Sequence, residues 1–103
     1  MENTFEATGA QLTVHLSGDL DHHAAAVWRR DIDERLFDRR PEVLVLDFTE
    51  VSFMDSSGIG LILGRAEAAG GIGCRVRLVG LSGRLSRLVR LSGVEKLTTV
   101  TVG

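Results

Sequence analysis

The sequence has little cysteine, no long apolar run and almost no net charge, and each shortage argues against a class of protein. The single cysteine, Cys74, cannot form an internal disulfide framework and indicates a reducing compartment. The longest apolar stretch, around residues 59–63, falls far below the roughly 18 residues that suggest a membrane span. A net charge of −2 gives no reason to expect nucleic acid as a partner. No basic, apolar leader opens the chain, so we expect a cytoplasmic protein that contacts neither membrane nor nucleic acid.

The residues that are present suffice for one folded domain. The chain has 103 residues, of which 44% are hydrophobic and 25% charged, as is usual for a globular protein with a single core. Its one proline, Pro41, lies between two patterned segments, where it can end a helix. Since no repeat or linker divides the chain, we expect a single domain over residues 1–103.

Hydrophobic periodicity predicts strands and helices in alternation. The predicted elements are strands over 5–8 and 12–16, a helix over 21–38, a strand over 43–48, a helix over 56–69, a strand over 75–79, a helix from Ser82 that stops at Gly93, and a strand over 97–102. This β-β-α-β-α-β-α-β order implies an α/β fold with right-handed crossovers. The sheet should be mixed but mainly parallel, with about five strands and three helices.

Three finer features are also expected. Gly18 should break the second strand. The nearly unbroken apolar run over 43–48 is typical of a strand covered on both faces. The inward side of the second helix should carry Ile59, Ile62, Leu63 and Ala66, which recur at helical spacing.

The segment that leaves the third strand carries the most chemical information. Asp55 is followed by two hydroxyls, Ser56 and Ser57, and then by Gly58 and Gly60. Free N–H groups at a helix start favour an anion, so a phosphate attached here need not unfold the domain. The glycines remove side chains, so another protein could approach the backbone. Capping and turn formation explain the same residues, and spacing alone does not show that Ser56 is modified.

A second polar cluster, Asp21, His22 and His23, follows the second strand. Neighbouring histidines diverge in direction and no further ligand group is present, so we expect no metal. Asp21 can instead cap the first helix, or place charge beside Ser56 if the two strand ends lie together. No Gly-x-Ser-x-Gly elbow or phosphate-binding glycine loop occurs, so we expect neither an enzyme nor a cofactor.

Three longer motifs resemble one family. The run Phe53-Met-Asp-Ser-Ser-Gly-Ile-Gly-Leu-Ile-Leu-Gly-Arg65 is similar to the signature of the STAS-domain anti-sigma factor antagonists, or anti-anti-sigma factors. Residues 18–23 resemble the early motif of that family, most closely its sporulation stage II members, and residues 84–93 resemble its third helix. The motifs occur in the order and spacing of the family. Relatives usually add a C-terminal helix beyond the point that corresponds to Gly103.

The resemblance implies a function based on partner switching. In that family the first serine of Asp-Ser-Ser-Gly, here Ser56, accepts phosphate from an anti-sigma factor that is itself a serine kinase. The unphosphorylated form binds the kinase and releases a sigma factor, the phosphorylated form dissociates, and a phosphatase restores it. The implied partner-binding residues are Asp21, His22, Asp55, Ser56, Ser57, Gly58, Ile59 and Gly60. The alternative is a STAS module that is not phosphorylated and binds a small ligand or scaffolds a regulatory complex.

Overall fold

A computed structural model describes residues 4–103 as a five-stranded sheet packed against three helices. The elements are β1 (Phe5–Thr8), β2 (Gln11–Leu20), α1 (His22–Arg39), β3 (Val43–Met54), α2 (Ser56–Gly70), β4 (Arg75–Val79), α3 (Gly83–Ser92), a 3-10 turn (Val94–Lys96) and β5 (Val100–Val102). The strands lie in the sheet in chain order, β1 antiparallel to β2 and the rest parallel. The predicted fold class and element order are confirmed.

The three helices cover one face of the sheet. Each crossover leads to the next strand in the same direction, and right-handed crossovers then place every helix on the same side. Leu44, Leu46 and Phe48 of β3 belong to the single hydrophobic cluster that the helices complete. Val45 is buried but lies outside that cluster, and Arg77 beside it is exposed. Helices therefore cover only one face of β3, although Val45 on the other face is also buried.

The central strands are longer than predicted. β2 continues through Gly18 to Leu20, and β3 continues to Met54. Gly18 has a φ of +76°, and the β2–β3 register shifts beside it, so a bulge absorbs the residue without ending the pairing. The prediction that Gly18 breaks the strand is wrong. The last strand is shorter than predicted, because residues 97–99 form a turn in which the N–H of Val100 donates to the carbonyl oxygen of Leu97.

The helix caps agree with the sequence patterns, but one predicted core residue does not. The Oδ1 of Asp21 accepts a hydrogen bond from the N–H of Ala24 at 2.9 Å, and Ser82 caps α3 in the same manner. Leu63 is 41% exposed, so its predicted inward position is wrong. The helix α2 contacts both the sheet and α1, and Leu61 and Arg65 are buried in addition to the sheet-facing residues.

His15 connects three strands on the face of the sheet without helices. Its Nδ1 lies 2.8 Å from Oδ2 of Asp47 on β3, and its Nε2 contacts the carboxylate of Glu6 on β1. Hydrogen bonds to Glu6 and then to Asp47 raise the pKa of His15. Burial pushes the pKa of Asp47 upward, but hydrogen bonds from Thr49 and His15 outweigh it and leave that pKa below its ordinary value.

We expect the stability that His15 contributes to depend on pH. Because its pKa is raised in the folded protein, the contribution is complete below the unfolded value of about 6.5 and is lost as pH rises through the folded value. Urea unfolding between about pH 5.5 and 9 measures the free energy of unfolding of the parent protein and of His15→Gln. The variant should be less stable than the parent by a larger amount at the acidic end of this range than at the alkaline end. The exposed His23 supplies a control, His23→Gln. A deficit of the same size at every pH would contradict this assignment.

Candidate functional site

Two separate polar segments meet at one edge of the sheet. Leu20, the last residue of β2, pairs with Met54, the last residue of β3. Each strand is followed at once by an aspartate and a helix, Asp21 before α1 and Asp55 before α2. The ends of β2 and β3 therefore lie side by side, as the sequence interpretation of Asp21 required. The starts of both helices and both capping carboxylates share this edge.

Ser56 is the first residue of α2 and is exposed to solvent. The capping carboxylate of Asp55 accepts a hydrogen bond from the N–H of Ser57 at 2.8 Å, and its carbonyl oxygen accepts one from the N–H of Gly58 at 3.0 Å. These bonds hold the start of the helix without using the Ser56 side chain. The hydroxyl thus lies on the surface, on a rigid helix start whose N–H groups favour negative charge.

Ser57 has a different environment from that of Ser56. It is half-buried and lines a groove of about 260 Å³ between α1 and α2, together with His22, Arg29 and Gly60. The groove brings His22 from the first polar cluster next to the Asp-Ser-Ser segment. His22 therefore lies at the edge where the sequence resemblance places the partner-binding residues.

The two glycines that follow the serines serve different purposes. A Cβ on Gly58 would lie 2.1 Å from Cγ of Met54, so the absence of a side chain there allows the start of α2 to pack on the end of β3. Gly58 is buried, whereas Gly60 is exposed and a Cβ there would meet nothing within 4 Å. The sequence interpretation treated the two glycines alike, but only the backbone at Gly60 is open to solvent. Ile59 between them is partly buried and packs against the core.

Other chemical features are sparse. Within residues 4–103 no three His, Cys, Asp or Glu side chains gather where they could hold a metal ion. No helix in this part of the chain is long and apolar enough to cross a membrane. Cys74 is buried, and burial raises the pKa of its thiol.

Sequence reasoning missed an ion pair between the two long helices. Arg65 on α2 is the one charged residue buried among residues 4–103, and its Nε lies 2.7 Å from Oδ1 of Asp33 on α1. Burial lowers the pKa of Arg65, as does the nearby Arg29, while Asp33 opposes both. Arg65 lies four residues after Leu61, and only the structure shows that this side of α2 faces α1.

The sequence matches the family profile of the STAS domain over residues 3–102. It is 37% identical over 89 residues to an anti-sigma F factor antagonist of Paenibacillus polymyxa. The aligned residues cover 86% of this chain and 76% of that protein. The fold superposes on the anti-sigma factor antagonist SpoIIAA in its unphosphorylated form with a TM-score of 0.81 and 30% identity, over 96% of this chain and 85% of that one. On the phosphorylated form of the Bacillus cell fate determinant SpoIIAA, the TM-score is 0.74 at 30% identity, over 96% and 88% of the two chains.

Proposed function

Because the chain belongs to the STAS domain family, we propose that it is an anti-sigma factor antagonist whose binding is switched by phosphorylation of Ser56. The similar proteins are named for antagonism of anti-sigma factors, and SpoIIAA occurs in unphosphorylated and phosphorylated forms. The observation that carries the proposal is the exposed hydroxyl of Ser56 at the start of α2. A kinase can reach this oxygen without unfolding any part of the domain.

The proposed cycle needs no catalytic group from this chain. In the cytoplasm, the unphosphorylated protein binds an anti-sigma factor that is a serine kinase, and the bound sigma factor is released. The kinase then transfers the γ-phosphoryl group of ATP to Oγ of Ser56. The O–P bond to ADP breaks, a new O–P bond forms, and the hydroxyl proton leaves. A serine phosphatase later hydrolyses the ester with water, which regenerates the hydroxyl and releases inorganic phosphate.

Charge at the interface supplies the switch. A phosphate adds about −1.5 to −2 charges at a surface that loses its water on binding. The free protein tolerates this charge because the helix start offers N–H donors. In the complex the same charge must be desolvated next to the carboxylates of Asp21 and Asp55. A penalty of about 4 kcal/mol weakens binding a thousandfold.

The proposed contact surface is the edge where β2 and β3 end. Its exposed or partly exposed members are Asp21, His22, Asp55, Ser56, Ser57, Ile59 and Gly60. Gly58 belongs to the surface only indirectly, since it sets the position of α2 against Met54.

The proposal predicts one phosphoryl group on Ser56 after incubation with the cognate kinase and ATP. Intact-mass spectrometry should show a single phosphate-sized increment, and peptide mapping should place it on Ser56. Ser56→Ala should abolish the increment, whereas the matched variant Ser57→Ala should retain it, because Ser56 is exposed and Ser57 is half-buried. An increment that survives in Ser56→Ala, or its absence from the parent protein, would refute the proposed switch.

A further inference from the structure

A second cavity, away from the groove that Ser57 lines, contains a cationic group that its ion pair leaves incompletely satisfied. The side chain of Arg65 is 7% exposed, and its Nε faces Asp33. Its Nη1 is buried and has no hydrogen-bond partner among residues 4–103. A buried charged donor without an acceptor is costly, so a small side-chain movement that exposes Nη1 to an acceptor from outside the chain would be favoured here.

Other arginines line the same region. A surface cavity of about 560 Å³ is bounded by Arg29, Arg30 and Arg65 together with Asp33 and Glu34, with Phe37 at its side. Arg29 is close enough to Arg65 to disfavour its charged form. Three guanidinium groups against two carboxylates leave an excess of positive charge. An anion between the arginines would relieve their repulsion and accept their hydrogen bonds.

We propose that this cavity binds a phosphate group, carried either by inorganic phosphate or by a phosphate monoester of a small molecule. Guanidinium groups match the geometry of phosphate oxygens, and several can share one tetrahedral anion. Phe37 is 48% exposed at the side of the cavity and offers an apolar contact for the organic part of a monoester. The site is separate from the hydroxyl of Ser56, and it does not depend on the proposed phosphorylation.

Calorimetric titration with inorganic phosphate and with ribose 5-phosphate at low, constant ionic strength tests the proposal. We expect calorimetry to show saturable binding at one site per chain. NMR spectra recorded during the same titration should show chemical shift changes at the side-chain N–H groups of Arg65. Tighter binding of the monoester would identify a small organic phosphate as the ligand, and equal affinities would identify inorganic phosphate. Ser56→Ala should bind like the parent protein.

Variants separate a specific site from general charge attraction. Arg30→Gln removes an exposed guanidinium of the cavity and should weaken binding about tenfold, the loss of one charge-assisted contact. Arg84→Gln removes the same charge from the exposed side of α3, outside the cavity, and should leave affinity unchanged. Arg65→Met should abolish binding in a protein whose circular dichroism shows that it is folded. Absence of saturable binding, equal losses in Arg30→Gln and Arg84→Gln, or shift changes confined to the start of α2 would overturn the proposal.

Discussion

Replacement of Ser56 by glutamate is expected to weaken binding to the anti-sigma factor by about a hundredfold or more, equivalent to about 2.7 kcal/mol. The substituted side chain places a permanent negative charge on the exposed helix start, at the edge of the sheet that also carries the capping carboxylates of Asp21 and Asp55. On binding, that charge must be desolvated without a new cationic partner. Ser56→Ala removes only a hydroxyl and should retain affinity close to that of the parent protein. Calorimetric titration with the cognate anti-sigma factor measures the affinity of the parent protein, Ser56→Glu and Ser56→Ala.

The control for this experiment adds the same charge elsewhere. Thr98 also carries a hydroxyl and is exposed in the turn before β5, at the opposite edge of the sheet from Ser56. Thr98→Glu should therefore bind as the parent does. Equal affinity of Ser56→Glu and the parent protein would count against the switch, and so would an equal loss in Thr98→Glu. Loss of binding in Ser56→Glu with an unchanged unfolding midpoint would place the effect at the interface.

The second large effect is expected from Gly80→Ala, which should lower the free energy of unfolding by about 3 kcal/mol or more. Gly80 follows β4 with a φ of +73°, a conformation that a side chain disfavours. A Cβ there would lie 2.3 Å from Oγ1 of Thr49 and 2.8 Å from its backbone nitrogen. The carboxylate of Asp47 is also close and already accepts two hydrogen bonds from Thr49, so these atoms have little freedom to move.

Gly73→Ala is the matched control for Gly80→Ala. Gly73 has nearly the same φ, +74°, but a Cβ there would meet nothing within 4 Å. This variant should cost only the conformational penalty, about 1 to 2 kcal/mol. Urea unfolding at neutral pH measures the loss of unfolding free energy in Gly80→Ala and in Gly73→Ala. Equal losses in the two variants would show that the contact with Thr49 contributes nothing.

The element order was predictable because it depends on local patterns, whereas the ends of the central strands were not. Polar and glycine residues near the ends of β2 and β3 resemble strand breakers when read alone. They remain in the sheet because β2 and β3 pair with each other as far as Leu20 and Met54. The uncovered sheet face also follows from the order of the strands, which hydrophobicity along β3 does not reveal.

The candidate site was predictable where it depends on capping and on strand ends. Asp21 and the Asp-Ser-Ser segment have the residue types that begin helices, and a parallel sheet brings such starts to one edge. The burial of Gly58 and of Arg65 was not predictable in the same way. The side chain of Met54 on β3 leaves no room for a side chain at Gly58. The burial of Arg65 depends on its ion pair with Asp33, which lies on another helix.

The order of strands in the sheet has a consequence for how the chain folds as it is synthesised. From β2 onward, each new strand finds its neighbour in the strand that left the ribosome just before it. Each crossover contains only one helix, and the entropy lost in closure rises slowly with the number of residues between two strands. The sheet can therefore grow from one side during translation, and the three-residue β5 is the last strand to be added.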